Sequence, residues 1–432
     1  MAYGKGPFTI QDKILPGMYV NLKGEAQSGS DMGSRGKAAV ALNLDWGNDT
    51  NEIIRVTAND FFTDGRKLFG YNYSDDEMLI LRQIFMGASE VYVYRLNSSG
   101  GVKASASNFA NAKYIGTRGN KISIVVSANV DEGSKFDVVT LFDNMTVDRQ
   151  IGVTAETLKD NDYVSFLKGG EFSLSEGTKV LTGGSNGTAG GVTNHNDFLS
   201  KLEAYEVNAV GFVYDDSSIA SIYASWAKTQ RDVYGNSIQA VLYNQPADHV
   251  AVINVDDSVA LVPWVLGKEA GCALNASLQN VKYDGEVKPT KNYTQSGLEK
   301  AIQEGKFVLH RVGDVFKVLA DINSLVNPNA DQNEEFKLNQ VIRVIDQLNL
   351  DACDIWTEDF IGKVPNTDNG RNLFWSRIIT LLNDYLAAGA IEEYDKNMVT
   401  IAAGAQRGSV VMQIPVQVAT MLEKAYVTIV VQ

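Results

Sequence analysis

The sequence predicts a multidomain protein of mixed α/β and β class with extended arms at both ends. Three observations predict it. Strands and helices alternate over residues 192–314, short β-runs separated by turn residues fill 113–182, and two Gly-rich stretches, 28–36 and 183–191, punctuate the chain. With 432 residues, 44% of them hydrophobic, there is ample material for several cores.

Residues 1–36 read as an arm and linker. Pro16-Gly17 interrupts any helix, Met18-Tyr19-Val20-Asn21-Leu22 alternates as a strand does, and 28–36 has the Gly/Ser composition of a flexible tether. Residues 37–112 form a small α/β part. Ala38-Ala39-Val40-Ala41-Leu42 is a buried strand closed by Trp46-Gly47. A helix carrying Leu79, Leu81, Ile84 and Phe85 then precedes an alternating strand, Val91-Tyr92-Val93-Tyr94-Arg95-Leu96.

Residues 113–182 read as a small β-sandwich domain, with strands at Ile122-Ser123-Ile124-Val125-Val126, at 136–142 and at Tyr163-Val164-Ser165-Phe166. Residues 183–314 form a central α/β domain. Phe198, Leu199 and Leu202 begin a helix, 207–213 is a strand, 219–233 a helix, 238–243 and Ala251-Val252-Ile253 are strands, and 259–274 is helical. That rhythm belongs to a mostly parallel sheet covered by helices.

In residues 315–424, Val341, Val344, Ile345 and Leu348 mark one amphipathic helix, and Phe374, Ile378, Leu381, Leu382 and Tyr385 mark a second. Residues 425–432 form a terminal arm strand, Tyr426-Val427-Thr428-Ile429-Val430-Val431. Two readings of it stand side by side. It completes the local sheet, or it adds a strand to a neighbouring molecule, which six residues at ~3.3 Å each are long enough to reach.

Composition excludes several function classes. With 38 basic against 52 acidic residues the chain carries −14, which opposes nucleic acid binding. No apolar run approaches the ~18 residues that span a bilayer, and the opening residues lack a secretory h-region, so the protein is expected to stay in the cytoplasm. Cys272 and Cys353 are too few for a disulfide framework or a structural zinc site and are expected to be reduced and buried.

Dedicated chemistry is also missing. The run Leu181-Thr182-Gly183-Gly184-Ser185-Asn186-Gly187 lacks the lysine of a phosphate loop, and no metal or cofactor motif occurs. His195 reads as a solvated residue of the Gly/Asn-rich joint. His249 follows a strand where α/β enzymes place catalytic groups, and His310 packs at a strand end. No Gly-flanked serine accompanies them. Asp215 and Asp216 read as a helix N-cap rather than an acidic site. A hydrolase or peptidase with an α/β core, and a different self-assembling shell protein, remain as competing readings.

Five stretches carry a resemblance. They are Pro16-Gly17-Met18-Tyr19-Val20; Ser34-Arg35-Gly36 leading to Leu44-Asp45-Trp46-Gly47; Val91 to Asn97; Ala112-Lys113-Tyr114-Ile115-Gly116-Thr117-Arg118-Gly119-Asn120; and Leu181 to Gly187. In this order the chain resembles the contractile tail sheath family of phages, R-type bacteriocins and related injection machines, in the style of Gram-positive bacteria and their phages. The resemblance implies a central core that is subtilisin-like in fold but has no catalytic triad, and no cofactor. It implies a helical homopolymer of sixfold, hexameric discs around an inner tail tube protein, capped by baseplate and tail terminator proteins. That polymer would be assembled in a bacterial cytoplasm and carried on a phage virion tail or a released bacteriocin particle. It further implies inter-subunit strand arms, here Ile14, Leu15, Met18, Tyr19, Val20 and Leu22 with Tyr426, Val427, Thr428, Ile429, Val430 and Val431. A tube-facing surface would lie near Lys363, Arg371 and Arg377.

Overall fold

The computed structural model describes residues 4–6, 17–19, 33, 35–169 and 172–431. The chain divides into two compact units. The larger holds Ser34–Asn349 with Gly389–Glu392 and the residues from Gln417 onward; the smaller holds Leu350–Ala388, Glu393–Val416 and the described residues before Ser34.

A seven-stranded sheet organises the larger unit. Its spatial order is Lys306–Phe307, Val252–Val255, Gln239–Tyr243, Ala209–Gly211, Lys37–Leu42, Glu90–Arg95 and Ile54–Thr57. Every pair is parallel except the last, where Ile54–Thr57 runs antiparallel to Glu90–Arg95. Both faces are covered, and the inner strands sort their side chains between two cores. Val91 and Val93 pack on one face with Ala38, Val40 and Trp264, whereas Tyr92 and Tyr94 pack on the other with Ala39, Phe198 and Tyr223. The alternation expected at 91–96 is therefore between two buried faces, the condition of a parallel sheet wrapped by helices. Packing is close enough to demand glycine where Val262–Gly271 crosses Leu79–Ile84. A Cβ on Gly267 would stand 2.0 Å from the Ile84 carbonyl oxygen.

The same unit contains the β-sandwich. A four-stranded antiparallel sheet, Met145–Val153, Phe136–Phe142, Ile122–Ala128 and Gly177–Val180, belongs to it with a three-stranded one, Val164–Phe166, Ala110–Ile115 and Lys103–Ala106. Ile122, Ile124, Val138, Phe142, Phe109 and Phe166 fill the core. The sandwich thus starts at Lys103, ten residues before the boundary expected from sequence. Lys103-Ala104-Ser105-Ala106 buries only its two alanines, a pattern too weakly apolar to announce a strand.

The expected tether also ends early. Gly36 N and Lys37 N both donate to Asn208 Oδ1, at 2.9 and 3.0 Å, so Gly36, the last residue of 28–36, belongs to the folded body.

The helix Asn339–Ile355 begins in the larger unit, continues into the smaller, and gives way to a wider turn at Trp356–Phe360. In the smaller unit the helix Asp368–Ala387 buries Ile378, Leu381, Leu382 and Tyr385 as its spacing predicts. A hairpin, Thr400–Ala403 with Val410–Gln413, accompanies it, and Trp375 Nε1 donates to the Val399 carbonyl at 2.8 Å.

Candidate functional site

The two ends of the chain differ. A short pair joins Ile391–Glu393 to Gln417–Val418. Ala419 N then donates to the Ala390 carbonyl at 3.1 Å, and Gln340 Nε2 donates to the Ala419 carbonyl at 2.9 Å. Beyond this pin no strand forms through residue 431. Tyr426 is 93% exposed, Ile429 84% and Val431 90%. Of the two readings of 426–431, completion of the chain's own sheet is not what is found among the described residues. Twelve residues past Ala419 span about 40 Å when extended.

At the N-terminal end, Gly17–Tyr19 pairs in parallel with Gly4–Gly6, with Met18 opposite Lys5 and Tyr19 opposite Gly6. Ile14, Leu15, Val20 and Leu22 lie outside the described residues. In the smaller unit the hairpin strand Val410–Gln413 is bonded on one side only among the described residues, and Val411 is largely exposed.

The three basic candidates on the smaller unit are each engaged locally. Lys363 donates to the Glu358 carbonyl, Arg371 pairs with Asp368 and donates to Asn366 Oδ1 at 2.6 Å, and Arg377 meets Asp359 at 3.2 Å. Arg371 and Arg377 are paired with carboxylates where they stand, whereas Lys363 meets a neutral carbonyl.

Four of the segments that carry the resemblance, 44–47, 91–97, 112–120 and 181–187, converge in space, which sequence order alone does not reveal. Arg95, buried, donates to the carbonyls of Gly47 (2.8 Å), Leu44 (2.9 Å) and Ile115 (3.2 Å). Asn97 bridges Leu44 through both backbone groups. Asn186 ties Asp45 to Thr117, at 2.9 Å to each, and Asn120 exchanges bonds with Gly184. Trp46 closes the set, its ring 5.3 Å from those of both Tyr114 and Phe142. Gly116 must be glycine: its φ is 134°, and a Cβ there would overlap the Asp45 carbonyl oxygen at 1.7 Å. The motifs are therefore the joint between the seven-stranded sheet and the sandwich.

None of the three histidines is fully exposed. His195, expected at the surface, is buried on the helix Val192–Leu202, with Nδ1 2.8 Å from the Tyr223 hydroxyl. Burial pushes its imidazole down to about 4. His249 Nε2 meets Asp232 at 3.0 Å, its Nδ1 accepts from Ala251 N, and desolvation holds it below its ordinary value despite that carboxylate. His310 lies half-buried in the strand Leu309–Val312. Asp216 caps the helix Ser217–Asp232, accepting from Ser218 N and Ile219 N, as expected. Cys272 is buried, but Cys353 is exposed, contrary to expectation. Among the described residues no cluster of three His, Cys, Asp or Glu side chains could hold a metal ion, and no helix is long and apolar enough to cross a membrane.

Four family models match in series. Residues 35–96 match the N-terminal region of tail sheath protein Gp18 domain III, 99–186 the phage tail sheath protein beta-sandwich domain, 189–324 its central domain and 331–432 the phage tail sheath C-terminal domain. The uncharacterized protein YqbK of Bacillus subtilis is 31% identical, over 98% of each chain. The crystal structure of the sheath tail protein of Desulfitobacterium hafniense superposes with a TM-score of 0.79 at 30% identity, over 95% of this chain and 99% of that one. The helical sheath of the anti-feeding prophage in its contracted state shares the fold, with a TM-score of 0.57 at 13% identity over 97% and 99%. Matched along its length by sheath domains and by a sheath protein of nearly its own extent, the chain belongs to the phage tail sheath family and is a structural subunit of a tail sheath.

Proposed function

We propose that this subunit polymerises with its own copies into sixfold discs stacked around an inner tube, and contracts to drive that tube through a target envelope. The observation that carries the reading is the C-terminal segment. Tyr426 to Val431 present apolar, β-favouring side chains to solvent and, among the described residues, bond to no strand of their own chain. An exposed row of backbone donors and acceptors of this kind is a template for pairing with another chain. The single-sided strand Val410–Gln413 is a matching acceptor on a second copy. Several main-chain bonds, each worth roughly 0.5–1.5 kcal/mol net, would hold subunits together while their bodies move.

Contraction in this reading is a near-rigid repacking from one lattice to a more favourable one, with no reaction catalysed. The seven-stranded sheet serves as the subtilisin-like core in architecture only, and the N-terminal arm around Met18 and Tyr19 acts as the second link. The surface near Lys363, Arg371 and Arg377 faces the tube. Baseplate and terminator proteins close the polymer, which assembles in a bacterial cytoplasm before release on a phage tail or bacteriocin particle.

Negative-stain electron microscopy of the purified protein tests the reading. Hollow striated tubes are expected from the full chain. A chain lacking residues 426–432 is expected to stay folded by circular dichroism yet form no polymer. Intact tubes from that truncation would refute the role given to the arm.

A further inference from the structure

The root of the N-terminal arm is held by buried charges that arm exchange alone does not require. The Arg35 side chain is only 6% exposed, and its Nη2 donates to the Glu269 carbonyl at 3.2 Å and to Glu269 Oε1 at 3.4 Å. Its Nε has no partner among the described residues. Glu269 is fully buried and gives its other oxygen to Arg343 Nη1 at 2.6 Å. Arg343 Nη2 reaches Asp321 at 2.6 Å and the Ala276 carbonyl at 3.2 Å. Two guanidinium groups thus face two carboxylates. An apolar residue at position 35 would fill the space without the desolvation that a buried guanidinium suffers. What the arginine adds is a directional bond to a carboxylate that Arg343 already fixes.

Position matters as much as chemistry. Arg35 lies two residues before Lys37, the first residue of the strand Lys37–Leu42, which has partners on both sides in the seven-stranded sheet. Any pull on the arm passes Arg35 before it reaches that strand.

We propose that Arg35 is the mechanical anchor of the N-terminal arm, and that its attachment to Glu269 stops tension on the arm from peeling Lys37–Leu42 out of the sheet. This rests on the reading that the N-terminal arm links subunits. The attachment uses one nitrogen at 3.2–3.4 Å, whereas Arg343 holds its two carboxylates at 2.6 Å. Under load the Arg35 bond gives first and leaves the Arg343 cluster intact, which makes the release reversible.

The test compares the full-length protein with Arg35→Gln, Arg35→Lys and a chain lacking residues 1–32. Tryptic cleavage after Lys37 is followed by mass spectrometry on unassembled subunits, with cleavage after the exposed Lys159 as internal reference. Arg35→Gln is expected to raise the Lys37 rate at least tenfold with Lys159 unchanged. Its polymers, stretched in an optical trap, should part at less than half the wild-type force. Arg35→Lys keeps the charge but not the planar fork, so it should fall between; where Arg35→Gln does not fold, the lysine variant decides the outcome. Wild-type Lys37 protection and rupture force in the variants overturn the anchor. Normal polymers from the chain lacking residues 1–32 instead overturn the linking role of the arm, and the anchor with it.

Discussion

Replacing Arg343 with methionine removes the hub of the buried charge cluster. Arg343 is fully buried, and the substitution deletes both 2.6 Å contacts, to Glu269 and Asp321, together with the bond to the Ala276 carbonyl. Asp321 would keep neutral donors from Leu278 N at 2.9 Å, Ser277 Oγ at 3.1 Å and Asn339 Nδ2 at 3.1 Å. Among the described residues, the Glu269 carboxylate would keep only the long contact from Arg35. Breaking a buried pair by removing one partner costs about 3–5 kcal/mol, because the carboxylate left behind is uncompensated. Burial already pushes Glu269 up to about 7 against the pull of Arg343, so without Arg343 the group should climb higher still.

The sign of the pH dependence follows. A carboxyl raised on folding stabilises at low pH, where both states are protonated, and loses that contribution as pH rises through the folded value. In the wild type this loss ends near pH 7; in Arg343→Met it continues above. Urea unfolding followed by fluorescence of the buried Trp264 and Trp46 should therefore give a gap of about 3–5 kcal/mol at pH 8 that narrows toward pH 5. A loss below about 1 kcal/mol, or a gap equal at both pH values, would sink this account of the cluster.

Three further outcomes are expected. Gly116→Ala, which adds a Cβ 1.7 Å from the Asp45 carbonyl oxygen at a φ of 134°, should cost at least about 2 kcal/mol in thermal unfolding, whereas Gly133→Ala, with nothing within 4 Å, should cost little. His195 is held at about 4 against 6.5, so its contribution is complete above pH 6.5 and is lost as pH falls to about 4. Up to about 3 kcal/mol is at stake, and His195→Gln should flatten the acid limb of the stability curve between those values. A thiol reagent should modify exposed Cys353 in the native protein but reach buried Cys272, whose thiol burial pushes up to about 11, only on unfolding; two equally fast thiols would contradict the burial.

Much of the architecture is legible in the sequence because it rests on local periodicity. The helices Ser217–Asp232 and Asp368–Ala387 and the strands Lys37–Leu42, Phe136–Phe142 and Gln239–Tyr243 carry apolar patterns that only one element type can bury. The helix Ala58–Phe69 is also encoded locally, in the reciprocal bonds of Thr57 and Asp60 and the left-handed Gly70, but the signal is one capping pair rather than a run of apolar residues. His195 departs from its expected surface position because polar neighbours in sequence disguise its place on the helix. At helical spacing it heads the stripe His195, Phe198, Leu199, Leu202, all of them buried.

What the sequence hides is whatever depends on partners far along the chain. Arg35 sits among glycines and serines, and nothing nearby marks it as buried; its environment comes from Glu269 and Arg343, more than 200 residues away. The helix Asn339–Ile355 illustrates the same point from the other side. Its apolar stripe is visible, yet Arg343 and Asp346 are buried beside it because Glu269, Asp321 and Arg231 neutralise them. A buried charge is tolerated only where its counter-charge is already fixed, so it can be recognised only once the fold has brought the two together. The joint motifs lie between these cases. Their glycines and asparagines are conspicuous in sequence but unexplained there, and they acquire a reason when Asp45, Arg95, Gly116 and Asn186 meet at one seam. Rigidity at that seam is what a subunit needs if its arms, and not its body, are to absorb the rearrangement of a lattice.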